Sequence, residues 1–93
     1  MEEITDQSRP ALARGTRLST DKQTSEPILL FPEGVVQLST TAHAILEHCD
    51  GQATVGAIVV TLAGEFEADP VVLRDDVLEC LTHLQGRKLV VIT

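Results

Sequence analysis

The chain has 93 residues, which suits one small domain, and its hydrophobic fraction of 43% is too high for a disordered polypeptide. Fourteen acidic and seven basic residues give a formal net charge of -7, and residues 23–93, with ten acids and three bases, hold all of it. Nucleic acids and anionic membranes attract basic surfaces, so the composition argues against both kinds of partner.

The first segment of the chain, residues 1–13, carries both signs of charge and is interrupted by Pro10. We expect these residues to be a flexible tail or linker, followed by a single domain over residues 14–93. Residues 16–22 are a candidate first strand, although Leu18 is their only large apolar side chain.

Two clearer strand patterns follow, at residues 28–31 and 35–38. The residues between them, Pro32-Glu33-Gly34, predict a three-residue hairpin loop, because proline favours the first turn position and Gly34 accepts the left-handed conformation. The sequence therefore predicts a small antiparallel sheet of two to three strands ahead of residue 39.

Three helices are predicted after the sheet, with N-caps at Ser39, Thr54 and Asp69. Gly51 is expected to stop the first helix and Gly86 the third. Their apolar stripes are Ala42, Ile45, Leu46 and Cys49 in the first helix, Val55, Ile58, Val59 and Leu62 in the second, and Leu73, Val77, Cys80, Leu81 and Leu84 in the third.

A small sheet followed by three short helices predicts an α+β, winged helix-turn-helix-like fold, with residues 89–92 as a further strand or an apolar tail over the core. Proteins of this plan usually insert their last long helix into DNA. Here that helix carries Asp75, Asp76 and Glu79 against a single Arg74, so phosphates would repel it.

The chain lacks the motifs of common catalytic and metal sites. We find no nucleophile elbow, phosphate-binding loop or dinucleotide glycine pattern, so we expect no enzyme, no catalytic residue and no cofactor. Cys49 and Cys80 are expected to be buried structural thiols, and His43, His48 and His83 lack the spacing of metal ligands. Without a signal peptide or a membrane-spanning apolar run, we expect a cytoplasmic protein.

Two features favour a binding function instead. The first lies on the third helix, where Val71 and Leu78 stand well away from the centre of the core stripe, beside Arg74 and Gln85. Such an apolar shoulder with a polar rim is typical of a peptide groove. The alternative is that the sheet covers the shoulder, which would make it ordinary core.

The second feature is the last strand of the sheet, which comprises Val35, Val36, Gln37 and Leu38. An edge strand presents unpaired backbone groups, and a partner peptide can satisfy them by adding a strand. The alternatives are that residues 89–92, residues 1–13 or a second copy of the chain cover this edge.

Taken together, the motifs along the chain resemble the pyrroloquinoline quinone biosynthesis protein D family (PqqD) over roughly residues 9–92. The residues that carry the resemblance are Arg14-Gly15-x-Arg17-Leu18, Leu29-Leu30-Phe31-Pro32-Glu33-Gly34-Val35-Val36-x-Leu38-Ser39, Ala44-Ile45-Leu46-Glu47-x-Cys49-Asp50-Gly51, Thr54-Val55-x-x-Ile58-Val59 and Val77-Leu78-Glu79-x-Leu81.

The resemblance implies a non-catalytic recognition element for ribosomally made, post-translationally modified peptides. Such proteins hold the precursor peptide PqqA and present it to the radical S-adenosylmethionine enzyme PqqE, which cross-links a Glu and a Tyr in it. Some members are fused to PqqC, the enzyme of the final oxidation step.

Related modules seat the peptide as an extra strand in a groove closed by the third helix. On this chain, that places Val35, Val36, Gln37 and Leu38 on the strand side and Val71, Arg74, Leu78 and Gln85 on the helix side. The alternative function is an acidic winged-helix-type transcriptional adaptor that binds protein partners.

Overall fold

The computed structural model describes residues 3–93, which form three helices and two small antiparallel sheets. In chain order the elements are β1 (Pro10–Leu12), β2 (Arg17–Thr20), β3 (Pro27–Phe31), β4 (Gly34–Gln37), α1 (Thr40–Glu47), α2 (Val55–Phe66), α3 (Pro70–Gly86) and β5 (Val90–Ile92). The predicted α+β, winged helix-turn-helix-like fold is confirmed. No helix in this part of the chain is long and apolar enough to cross a membrane.

The larger sheet is an antiparallel meander of β2, β3 and β4, with β3 in the middle. Phe31 pairs directly with Gly34, so the hairpin loop contains only Pro32 and Glu33. The prediction of a three-residue loop with a left-handed Gly34 is wrong. Gly34 is the first residue of β4 and its φ is not positive, because the chain has already reversed at Pro32 and Glu33.

The smaller sheet pairs the two ends of the chain, with Pro10 opposite Ile92 and Leu12 opposite Val90. Residues 10–12 therefore differ from the expectation of a flexible tail over residues 1–13. Strand formation here depends on pairing across the whole length of the chain, and so short a segment carries no local pattern that would reveal it.

The residues before β1 also pack on the domain. The N–H groups of Val55 and Gly56 donate to the carbonyls of Ser8 and Asp6 at 2.8 and 3.0 Å, and Ser8 is buried. The first N–H groups of a helix have no acceptor within the helix, so these two carbonyls complete the N-terminus of α2. Main-chain acceptors have no sequence signature, which is why the sequence did not indicate this contact.

The three predicted N-caps are confirmed. The side chains of Ser39, Thr54 and Asp69 each accept a hydrogen bond from an N–H two or three residues later, at 2.9 to 3.2 Å. The first helix ends at Glu47, earlier than predicted, and Gly51 takes a φ of 79° in the turn that follows.

The core lies between the inner face of the larger sheet and the three helices. Its buried members are Leu29, Ile45, Leu46, Cys49, Val55, Ile58, Val59, Leu62, Leu73, Val77, Leu81, Leu84, Leu89 and Val90. The predicted stripes are thus largely confirmed, while Ala42 and Cys80 are only half-buried. Because the core occupies one stripe of α3, this helix has two flanks that remain at the surface.

Candidate functional site

The outer edge of β4 is open. Within residues 3–93, β4 pairs with β3 on one side and with no strand on the other. The two chain ends that the sequence offered as possible covers, β1 and β5, pair with each other instead. An open edge of this kind is a template for a further strand.

The register of β4 decides which backbone groups face outward. The N–H of Leu38 donates to the carbonyl of Pro27 at 3.0 Å, which marks these two residues as a hydrogen-bonded pair. Because such pairs alternate along an antiparallel ladder, Val36 also directs its backbone groups toward β3. The N–H and C=O groups of Val35 and Gln37 therefore point to the open edge.

The side chains of this segment alternate between two faces. Val36 and Leu38 are half-buried and pack against the core. Val35 is 55% exposed, and Gln37 is also exposed. The open edge therefore has an apolar face toward the helices and a more polar face toward solvent.

A depression of about 160 Å³ lies between this edge and α3. It is lined by Val36, Gln37, Leu38, Ser39, Ala42, Cys80, His83 and Leu84. Its walls therefore combine the end of β4, the start of α1 and one flank of α3.

A second depression, of about 380 Å³, extends this one along α3. It shares four lining residues with the first and is bordered by Asp76 and Glu79, nearer the start of α3. We call these two depressions together the β4–α3 groove. A third depression, of about 320 Å³, shares no lining residue with them and lies beyond the end of α3, where Arg87 faces Thr16 and Phe31.

Cys80 stands in the wall of the β4–α3 groove. Burial raises the pKa of its thiol to about 11, and the Glu79 carboxylate adds a smaller effect. Burial likewise raises the pKa of Cys49 to about 12, with smaller contributions from Cys80 and Asp50. Both thiols are therefore neutral near pH 7 and poor nucleophiles, as expected of structural cysteines.

The structure does not bring the four helix residues predicted from the sequence to the β4 edge. Val71, which is 72% exposed, and Arg74 border a separate depression of about 290 Å³ beside Asp6. The Nε of Arg74 lies 2.7 Å from Oδ1 of Asp6. Leu78 is half-buried against the core, and Gln85 follows it by seven residues on the same flank.

This difference has a geometric reason. Periodicity shows that the core stripe of α3 has two flanks, but which flank faces β4 depends on how the helix packs in three dimensions. The apolar character of Val71 and Leu78 favoured one flank, whereas the groove uses the other. The sequence places Cys80 in the core stripe of the third helix and gives His83 no metal-ligand spacing. Nothing in the sequence therefore marks either residue as part of a groove.

The exposed side of α3 is unfavourable to nucleic acids, because Asp75, Asp76 and Glu79 are all exposed on it. Across residues 3–93, we find no group of three or more His, Cys, Asp or Glu side chains placed to hold a metal ion. The geometry of the β4–α3 groove instead suits an extended chain that pairs with β4.

Comparisons of sequence agree on one family. A sequence model described as "Coenzyme PQQ synthesis protein D (PqqD)" matches residues 26–90. The chain is 38% identical over 89 residues to the PqqA binding protein of Xanthomonas oryzae pv. oryzae, covering 96% of this chain and 97% of that protein. A PqqA binding protein of Xanthomonas campestris pv. campestris matches at the same identity and coverage.

Two solved structures resemble this fold. One is the solution NMR structure of the PqqD truncation of Methylobacterium extorquens PqqCD, described as a functional, stand-alone RiPP recognition element. It is 34% identical, the match covers 88% of this chain and 87% of that one, and the TM-score is 0.78. The other is the crystal structure of PqqD from Xanthomonas campestris, with 38% identity, coverage of 92% and 96%, and a TM-score of 0.59.

Proposed function

Because this chain belongs to the PqqD family, we propose that it is a peptide chaperone in pyrroloquinoline quinone biosynthesis that binds PqqA as an added strand on β4. The observation that carries this proposal is the open β4 edge beside a groove walled by α3. Relatives named for PqqA binding and a similar RiPP recognition element support it.

In this arrangement the peptide hydrogen-bonds to the outward N–H and C=O groups of Val35 and Gln37. Alternate peptide side chains then enter the groove against Val36, Leu38 and Cys80, while the others face solvent. Main-chain bonds supply affinity for any extended segment, and the groove supplies selectivity. Val35, Val36, Gln37 and Leu38 thus remain the proposed strand side of the site.

The helix side of the proposed site changes from the one the sequence indicated. Cys80, His83 and Leu84 line the groove next to β4, so we assign the helix contacts to them. Val71, Arg74, Leu78 and Gln85 lie on the other flank and are not included.

The role we propose is presentation rather than catalysis. Thiols with raised pKa values make weak nucleophiles, and strand addition leaves the rest of the peptide free for an enzyme to reach. By family resemblance that enzyme is PqqE. The similar structure taken from a PqqCD fusion supports PqqC as a further partner.

Titration of ¹⁵N-labelled protein with PqqA tests the proposed binding. We expect saturable binding with amide shifts concentrated at residues 35–38 and 76–84, because these two segments line the groove. A scrambled PqqA of the same composition serves as the control for non-specific attraction. No saturation by PqqA, or shifts confined to α2, would contradict the proposed function.

A further inference from the structure

A second pocket, the depression of about 320 Å³ beyond the end of α3, lies where three turns of the chain converge. The turn before β2 supplies Arg14 and Thr16, the β3–β4 hairpin supplies residues 31–33, and the turn between α3 and β5 supplies residues 87–89. None of these residues lines the β4–α3 groove. The pocket is therefore a candidate site of its own, built by loops that the two sheets and α3 hold in place.

The lining of this pocket is basic, although the chain as a whole is acidic. Arg14, Arg87 and Lys88, three of the seven basic residues, line it together with one acid, Glu33. Three cations against one carboxylate give the lining a net charge of +2, in a chain whose formal charge is -7. Within residues 3–93, the side chains of these three bases form no ion pair and donate no hydrogen bond. Their donors are thus available to a ligand.

One of the three cations is oriented by an aromatic ring. The guanidinium carbon of Arg87 lies 5.9 Å from the centroid of the Phe31 ring, and this contact holds the side chain over the hairpin. Phe31 is half-buried, and with Pro32 and Leu89 it forms the apolar part of the wall. The pocket therefore combines a cationic rim with an apolar surface.

A second cation is carried by a strained backbone. The N–H groups of Lys88 and Leu89 donate to the carbonyls of Gln85 and Leu84, both at 2.9 Å, which is the Schellman pattern of a helix end. The position of Lys88 in this pattern is left-handed, with a φ of 63°, and glycine usually occupies it. A lysine there is strained, and strain of this kind is typical of functional positions.

We propose that this pocket binds a compact ligand that carries two or three carboxylates on an apolar or aromatic body. The guanidinium groups of Arg14 and Arg87 match the two oxygens of a carboxylate, and the ammonium group of Lys88 pairs with a further one. Several carboxylates on one molecule fit the net charge of the lining, whereas a single acidic side chain would leave cations unpaired. The volume lies near the lower end of the range for small-molecule sites.

Titration of ¹⁵N-labelled protein with benzene-1,3,5-tricarboxylate tests this inference. We expect saturable amide shifts at residues 14–16, 31–33 and 87–89, and an affinity at least about tenfold higher than that of benzoate, which has one carboxylate. The affinity should fall in 0.5 M salt, because the pairs lie at the surface. No saturation, or an affinity equal to that of benzoate, would overturn the proposal.

Charge variants locate the binding. Arg14→Gln and Arg87→Gln should each weaken tricarboxylate binding about three- to fivefold at low ionic strength. The matched control is Lys22→Gln, which removes the same charge from a residue outside the pocket and should bind like the wild type. Equal losses in Lys22→Gln and Arg87→Gln would show non-specific attraction and overturn the site.

The variant Lys88→Gly separates binding from stability. Glycine relieves the left-handed strain, so the melting temperature should stay the same or rise, while the loss of the ammonium group should weaken tricarboxylate binding about threefold or more. A folding defect cannot explain weaker binding by a variant that is at least as stable as the wild type. Wild-type affinity in Lys88→Gly would contradict the role proposed for this residue.

Discussion

Replacing Gln37 with proline should lower the affinity for PqqA at least about 30-fold while the domain stays folded. Proline removes the outward N–H and places its ring where the added strand must approach. An unmade hydrogen bond with a stranded acceptor costs about 2 kcal/mol, which corresponds to about 30-fold in affinity. The N–H of Gln37 makes no bond to β3, so an edge proline is tolerated in this position.

Two control variants and one further test variant accompany Gln37→Pro. Gln37→Ala keeps the N–H and should bind PqqA nearly as well as the wild type. Thr20→Pro removes an outward N–H from β2, the opposite edge of the same sheet, and should leave affinity unchanged. Val35→Pro repeats the test at the other outward N–H of β4. Wild-type affinity in a folded Gln37→Pro variant, measured by calorimetry with circular dichroism as the folding check, would show that PqqA does not pair with this edge.

Cys80 should react with iodoacetamide about 100-fold more slowly than an ordinary thiol at pH 8, and bound PqqA should slow it further. Burial raises the pKa of this thiol from 9.0 to about 11, so the reactive thiolate is about 100-fold scarcer. The rate should keep rising about tenfold per pH unit from pH 7.5 to 9.5, because the thiol is still mostly protonated there. Mass spectrometry of digested samples separates Cys80 from Cys49.

N-acetylcysteine provides the reference rate for the same reagent. Cys49 is buried and should react more slowly than Cys80 at every pH in this range. A rate at Cys80 that levels off near pH 9 would contradict the raised pKa. An unchanged rate at saturating PqqA would show that the peptide does not cover this part of the groove.

The sequence predicted best those features that depend on neighbouring residues. Ser39, Thr54 and Asp69 mark helix starts because capping involves only the next two or three residues. The position of the β3–β4 hairpin was likewise readable from Pro32, whereas the size of its loop was not, since that depends on the pairing of Phe31 with Gly34.

Features that depend on distant residues could not be derived in this way. β1 is a strand because residues 90–92 pair with it, and no pattern within Pro10–Leu12 indicates this. That Val35–Leu38 forms an edge strand was predictable from its place in the chain order. The flank of α3 that borders this edge was not predictable, because packing sets it and periodicity does not.

The net charge of the chain gives little indication of its partner, whereas the positions of the charged residues in the structure are informative. Arg74, the only base on α3 before its end, is paired with Asp6 away from the groove. This leaves Asp76 and Glu79 without an Arg or Lys among the residues that line the groove. An acidic α3 is therefore a poor surface for a nucleic acid.

Hydrogen exchange of the β4 amides tests the central claim, that PqqA adds a strand to this edge, most directly. In the free protein the N–H groups of Val35 and Gln37 face solvent, and saturating PqqA should slow their exchange at least about tenfold by engaging them in hydrogen bonds. The outward N–H groups of Leu18 and Thr20 on β2 should exchange as before. Unchanged exchange at Val35 and Gln37 in the saturated complex would contradict strand addition at β4.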